Sequence, residues 1–155
     1  MSEQITSVRP SVLDQLRGAL TQQKHAEGAA HATTRFYELL LGGDMAGVQA
    51  LLDDGIVLEI RGPAGMVFTG RTEGKAAVLG KLAENFGRAE YQHVTLKKMI
   101  STEAEVVLVF DEDGKLKGDQ YAAYTIQAIQ IWTQSEGKIT SIYEIIDDPT
   151  HLMVR

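Results

Sequence analysis

Glu144 stands inside an apolar row, Ile142-Tyr143-Glu144-Ile145-Ile146, close to the end of a 155-residue sequence. Side chains alternate between the two faces of a strand, so Ile142, Glu144 and Ile146 fall on one face. A carboxylate in that company loses hydration unless it is paired, and burial lifts its pKa toward neutrality, where a carboxyl group both takes and returns protons. Glu144 is therefore the candidate general acid/base. The competing reading is that it points outward, or answers a nearby cation or the Gln130 amide. His93, in Gln92-His93-Val94, is the second candidate, able to hold or relay a proton or to hydrogen-bond a substrate carbonyl. Tyr124, Gln130 and Trp132 share a face of the preceding run. Tyr124 and Gln130 could donate to a developing enolate oxygen, or sit in the core with satisfied tips. Ile126, Ile142 and Ile146, with Phe36 and Tyr37 from a helical stripe, complete the expected apolar binding wall.

Two β-rich runs, QYAAYTIQAIQIW and KITSIYEIID, must position these groups, joined by the turn Gln134-Ser135-Glu136-Gly137. Strands are expected over 56–60, 91–100, 105–110, 119–133 and 138–147, with turns at Ser101-Thr102-Glu103 and Asp111-Glu112-Asp113-Gly114. Upstream the period changes to that of helices. Val12, Leu13, Leu16 and Leu20 mark a helix over 10–24, opened by Pro10. Thr33, Phe36, Tyr37, Leu40 and Leu41 mark a core helix that stops at Gly42-Gly43. Asp44 caps a third helix bearing Met45, Val48, Leu51 and Leu52, which Asp53-Asp54-Gly55 ends. Val78, Leu79, Leu82 and Phe86 mark a fourth over 72–86. Helices followed by short-turned strands give an α+β class with an antiparallel meander. The 119–133 strand is apolar on both faces: Tyr124, Ile126, Ala128 and Trp132 on one, Tyr121, Ala123, Ile129 and Ile131 on the other. The second face is thus an expected homodimer surface, unless a long loop or the first helix folds over it.

Composition removes several classes of function. With 15 Lys+Arg against 21 Asp+Glu, a formal net charge of -6 and no basic run beyond Lys97-Lys98, nucleic acid is not an expected partner. The absence of cysteine excludes disulfides, thiolate metal sites and Cys nucleophiles. No apolar signal core opens the sequence and no stretch reaches the ~20 apolar residues of a membrane span, so a cytoplasmic location without a membrane partner is expected. His25, His31, His93 and His151 lack metal-ligand spacing, and Gly62-Pro63-Ala64-Gly65 is neither a phosphate loop nor a dinucleotide fingerprint. No metal or cofactor is implied. Glu59 and Arg61 read as a solvated ion pair opposite Ile56, Leu58 and Ile60, and Asp147-Asp148-Pro149 as a strand end and turn.

The runs FYELLLGGDMAGVQALLDDGIVLEI, GPAGMVFTGRTEGKAAV and IWTQSEGKITSIYEIID together resemble the SnoaL-like branch of the nuclear transport factor 2-like superfamily, over about residues 29–150. That branch includes polyketide cyclases, ketosteroid isomerases, limonene epoxide hydrolases and scytalone dehydratases. The resemblance implies a cone of helices on a strongly bent, mostly antiparallel sheet enclosing one apolar pocket. Residues 1–28 would be an N-terminal helical extension and 29–155 the α+β barrel domain.

It also implies where family site residues would fall. Glu144 matches the inward aspartate of the epoxide hydrolases, but Ile142-Tyr143-Glu144 replaces their Trp-Arg-Asp, and Ala104 and Val106 stand where their other charged groups would be. The isomerase base would fall near Gly62 and its helical tyrosine near Phe36, and both groups are missing. His93 resembles the strand histidine of the dehydratases, whose helix acid is replaced by Leu40 or Leu41. Two readings follow: a cofactor-independent enzyme that isomerises, cyclises or dehydrates an apolar carbonyl-bearing or polycyclic metabolite, or a non-catalytic binder or association module on the same fold.

Overall fold

The computed structural model describes residues 11–21, 28–62 and 66–147. Along them run α1 (Val12–Thr21), α2 (Ala29–Leu41), α3 (Met45–Leu51), β1 (Leu52–Arg61), β2 (Gly70–Glu73), α4 (Lys75–Gly87), β3 (Ala89–Ser101), β4 (Glu105–Leu116), β5 (Tyr124–Ser135) and β6 (Lys138–Ile146). The strands form one open, mixed sheet in the order β2-β1-β6-β5-β4-β3. Strands β3 to β6 make the expected antiparallel meander, and β1 lies parallel to β6. The α+β expectation holds. Pro10, residues 22–27 with His25, Pro63-Ala64-Gly65, Asp148-Pro149 and His151 lie outside the described residues.

Alternation sorts each strand's side chains into an inner and an outer set. Val106, Leu108 and Phe110 of β4, Ile126, Ala128 and Trp132 of β5, and Ile139, Ile142 and Ile146 of β6 are buried on the inner face. Helix α2 packs across that face, with the Phe36 ring edge-on to Trp132 at 5.1 Å and Tyr37 tilted against it at 5.8 Å. On the outer face Ile129 and Ile145 stay 36% and 42% exposed. Helix α1 instead closes the sheet edge at β3. The Gln15 amide donates to the Val94 carbonyl at 2.8 Å and accepts from the Leu96 N–H, occupying edge groups that would otherwise invite another strand. Leu16 is buried beneath it.

Local chemistry accounts for the ends of several elements. Asp44 caps α3 as expected, its carboxylate accepting the Gly47 N–H at 2.8 Å. Four expectations require correction. Helix α3 ends at Leu51, and Leu52, Asp53, Asp54 and Gly55 already belong to β1, with a register irregularity between Leu52 and Val57. The fourth helix begins at Lys75, because Gly70–Glu73 form β2 on β1, where Arg71 reaches both Glu59 and Glu73. Strand β5 starts at Tyr124, leaving Tyr121 and Ala123 ahead of it. Asp111-Glu112-Asp113-Gly114 is no turn: β4 runs through to Leu116, its 111–114 stretch laddered to 92–95 of β3 and 124–127 of β5. Two long neighbours keep an acidic, glycine-containing segment extended against its local preference.

The β5–β6 hairpin sets the register on which the inner face depends. Glu136 and Gly137 both take left-handed conformations, φ 52° and 78°, the combination that suits a tight hairpin turn to the right-handed twist of its strands. The pairs that follow include Trp132 with Ile142 and Gln130 with Glu144. A slip of one residue would turn Glu144 outward. No neighbouring atom lies within 4 Å of a Cβ built at Gly137, so Gly137→Val tests backbone strain alone. The expected cost is about 1–2 kcal/mol, read as a lower urea midpoint. An unchanged midpoint would show that the turn does not need a left-handed residue there.

Candidate active site

The hairpin register sets Glu144 beside Gln130, whose Nε2 donates to Glu144 Oε1 at 3.2 Å. The Trp132 indole N–H donates to Gln130 Oε1 at 3.0 Å. An indole nitrogen only donates, so the Gln130 carbonyl must face Trp132 and its NH2 must face Glu144. Three residues of one hairpin thereby fix the carboxyl group in place. Trp132 is itself held by Phe36 and Tyr37, which ties the orientation to α2.

These groups line a cavity of about 590 Å³ between the inner face of the sheet, α2, α4 and the start of α1. Its volume falls in the range that encloses a drug-sized molecule. The walls are mostly aliphatic and aromatic: Leu40 and Leu41 of α2, Leu82 and Phe86 of α4, Leu58 and Ile60 of β1, and Phe110 of β4. No lysine or arginine lines it among the described residues. An anionic ligand would therefore enter without a counter-charge, beside two acids.

The acids are Glu144 and Glu112. Burial is the main cause that pushes Glu144 up to about 7; the negative charge of Glu112 adds to it and the Gln130 amide opposes it. Glu112 is also pushed above the ordinary carboxylate range by burial, but two donors act against that, Tyr124 and Gln92. The Tyr124 hydroxyl donates to Glu112 Oε1 at 2.6 Å. Tyr124 and Tyr37 are both held in their protonated forms, first by burial and then by the charges of Glu112 and Glu144. The two acids thus differ in the donors that oppose the effect of burial, two for Glu112 against one for Glu144.

Every residue singled out in the sequence lines this one cavity: Glu144, His93, Tyr124, Gln130, Trp132, Ile126, Ile142, Ile146, Tyr37 and Phe36. They are not equally placed. His93 lies exposed on edge strand β3, its ring 5.8 Å from that of Tyr91, so it meets the cavity at its margin. The group hydrogen-bonded to Glu144 is Gln130, and Tyr124 is bonded to Glu112. Glu112 is the residue that the sequence pattern did not reveal, because Asp-Glu-Asp-Gly carries the composition of a turn. A signal for it existed. Val106, Leu108, Phe110, Glu112, Gly114 and Leu116 continue one period-two row, and a glycine inside such a row marks a close approach. A Cβ at Gly114 would stand 2.5 Å from the Tyr124 hydroxyl oxygen, so the bare backbone is what lets that ring lie across β4. The Glu59–Arg61 ion pair forms on the outer face as expected, at 2.9 Å. Among the described residues no group of three or more His, Asp or Glu could hold a metal ion, and no helix is long and apolar enough to cross a membrane.

Helices packed on one face of a bent open sheet, with a ligand-sized cavity between them, define a nuclear transport factor 2-like α+β fold. Solved structures share it. An NTF2-like protein of Burkholderia xenovorans LB400 is 21% identical, with a TM-score of 0.67 over 81% of this chain and 94% of that one. A protein of Rhodopseudomonas palustris provisionally described as an isomerase is 19% identical, with a TM-score of 0.65 over 76% and 90%. One of Jannaschia sp. CCS1, provisionally described as a SnoaL-like polyketide cyclase, is 12% identical, with a TM-score of 0.64 over 81% and 91%. The model of the SnoaL-like domain matches residues 33–142, more than two thirds of the sequence, and the chain belongs to that family. Among curated proteins there is no match.

The raised Glu144 makes stability depend on pH with a definite sign. Its carboxyl titrates at about 7 in the folded chain against an ordinary 4.5, so between those values the unfolded chain has lost a proton that the folded chain keeps. Stability from this group is fully present below pH 4.5 and is lost as pH rises toward 7, by on the order of 3 kcal/mol. Glu112 contributes with the same sign. Urea unfolding of the wild type and of Glu144→Gln at pH 5 and pH 8 isolates the share of Glu144. The variant should lose less stability between the two, and equal losses would show that Glu144 titrates as an ordinary carboxylate.

Proposed function

We propose that the chain is a cofactor-independent enzyme that moves a proton on an apolar, carbonyl-bearing ligand, with Glu144 as the base. The observation that carries this reading is a carboxyl group set in an apolar cavity, oriented by Gln130 and balanced near neutral pH between its two forms. A group so poised can remove a proton and return it, which isomerisation, cyclisation and dehydration each require. Family membership and the isomerase and cyclase descriptions of two fold neighbours agree with it.

In the proposed step the ionised Glu144 removes a proton from carbon next to the carbonyl. The C–H electron pair becomes the C=C bond of the enolate, and the carbonyl π pair moves onto oxygen. The Tyr37 hydroxyl, on a half-buried ring that lines the cavity and held protonated by burial and the charge of Glu144, is the donor suited to that oxygen. Glu144 then returns the proton to the same carbon or another. In this reading the mostly apolar walls limit the water that could quench the enolate.

The neutral bicyclic ketone 2-tetralone is a suitable probe, because its α-hydrogens exchange with heavy water by the proposed step alone. The wild type should accelerate that exchange, and Glu144→Gln should reduce the acceleration at least 100-fold while changing ketone affinity by no more than a few-fold. Full exchange in the variant would remove Glu144 from the chemistry. Tight binding without exchange in either protein would leave a binding protein in place of an enzyme.

A further inference from the structure

Further along β5 from the Gln130–Glu144 pair lies a second polar cluster of the same cavity that the proton-transfer step does not use. Glu112 faces Ile126 across β4–β5, whereas Glu144 faces Gln130 across β5–β6. Four residues of β5 separate the two positions, about 13 Å along the strand, with β5 itself lying between their backbones. Three side chains build the cluster. Tyr124, 4% exposed, donates its hydroxyl proton to Glu112 Oε1 at 2.6 Å, and Gln92 donates to the same carboxylate. Gly114 leaves the space through which the tyrosine reaches.

In its ionised form, which the Tyr124 and Gln92 donors favour, the Glu112 carboxylate accepts at about four lone-pair positions and donates at none. Tyr124 and Gln92 take two. The outward neighbours, Asp111 and Asp113, are engaged elsewhere, Asp111 with Lys97 at 3.3 Å and Asp113 with Thr125 at 2.8 Å. Among the described residues no lysine or arginine lines the cavity to answer Glu112. Its remaining acceptor positions belong to a half-buried, partly desolvated carboxylate, where a missing hydrogen bond is costly and a supplied one correspondingly strong.

We infer that Glu112, positioned by Tyr124 and Gln92, is a ligand-binding group that accepts a hydrogen bond from a hydroxyl on an apolar ring system, so that the cavity selects neutral phenols. This inference rests on the proposed function only in sharing its cavity. Combined with that function, it makes the substrate class a hydroxylated aromatic or polycyclic ketone, its hydroxyl at Glu112 and its enolisable carbon at Glu144. A ligand carrying a carboxylate is rejected, since it would bring a like charge to both acids.

The test is binding, which needs no turnover and so fails or succeeds independently of the ketone exchange above. Affinities of 2-naphthol, 2-methoxynaphthalene and 2-naphthoate are measured by calorimetry at pH 7 for the wild type, Glu112→Leu, Tyr124→Phe and Glu144→Gln. The wild type should bind 2-naphthol at least 10-fold more tightly than its methyl ether, which keeps the rings and the oxygen but lacks the proton, and should bind 2-naphthoate more weakly than either. Glu112→Leu should abolish the preference for the phenol without weakening the ether. Tyr124→Phe, a milder change that tests the same cluster should Glu112→Leu fail to fold, should reduce the preference. Glu144→Gln should keep it. Equal binding of phenol and ether by the wild type, no detectable binding of 2-naphthol, a preference that survives Glu112→Leu, or one lost in Glu144→Gln would each overturn the inference.

Discussion

A carboxyl group facing an apolar hollow with a single amide as its partner is the constraint around which the rest of this structure is arranged. Left alone, Glu144 would either stay neutral or draw in water, and either response would change the cavity. Gln130 moderates the cost by one hydrogen bond, and it can do so in only one orientation because the Trp132 indole fixes the other end of its amide. Trp132 in turn packs against both Phe36 and Tyr37, whose rings also meet each other. A chain of contacts therefore runs from a helix, through an aromatic cluster and an amide, to one oxygen atom. Each link is weak, with a neutral hydrogen bond contributing about 1 kcal/mol and an aromatic pair about as much. What they supply together is direction.

The architecture places that direction where a ligand can meet it. An open sheet with helices on one face has an inner surface that its own side chains do not fill, and the space between sheet and helices becomes the cavity. Its two acids occupy unlike surroundings. Glu112 receives two donors and Glu144 one, so two residues of the same type are separated in behaviour by their neighbours. Among the described residues no lysine or arginine lines the cavity, which sharpens this difference because none of them levels the two sites.

How much of this could be read in the sequence depended on whether a local pattern agreed with its tertiary setting. The final hairpin was legible because alternation, turn residues and burial agree there: Ile142, Glu144 and Ile146 do share the inner face, and Gln134 to Gly137 do close the turn. The core helix was legible through Phe36 and Tyr37, which reach the cavity from adjacent positions of one stripe. Glu112 was hidden because Asp-Glu-Asp-Gly has the local preference of a turn and is kept extended only by strands distant in sequence. Gly70–Glu73 was hidden for a related reason, since a four-residue edge strand carries little pattern of its own and exists through its pairing with β1. His93 had a suggestive residue type, yet an edge strand leaves it exposed at the cavity margin. Residue type and spacing thus located one acid, and only long-range pairing brought the second into the same space.

The account is tested most directly by observing the Glu144 carboxyl itself. Carbon-13 NMR of protein labelled at the glutamate side-chain carboxyl carbon, with Glu144→Gln identifying the resonance by its loss, gives the titration midpoint of that group in the folded chain. Burial in the apolar cavity predicts a midpoint at about 7. A midpoint near the ordinary 4.5 would mean that water or a cation reaches the carboxylate, and the cavity would then hold no group poised to move a proton at neutral pH.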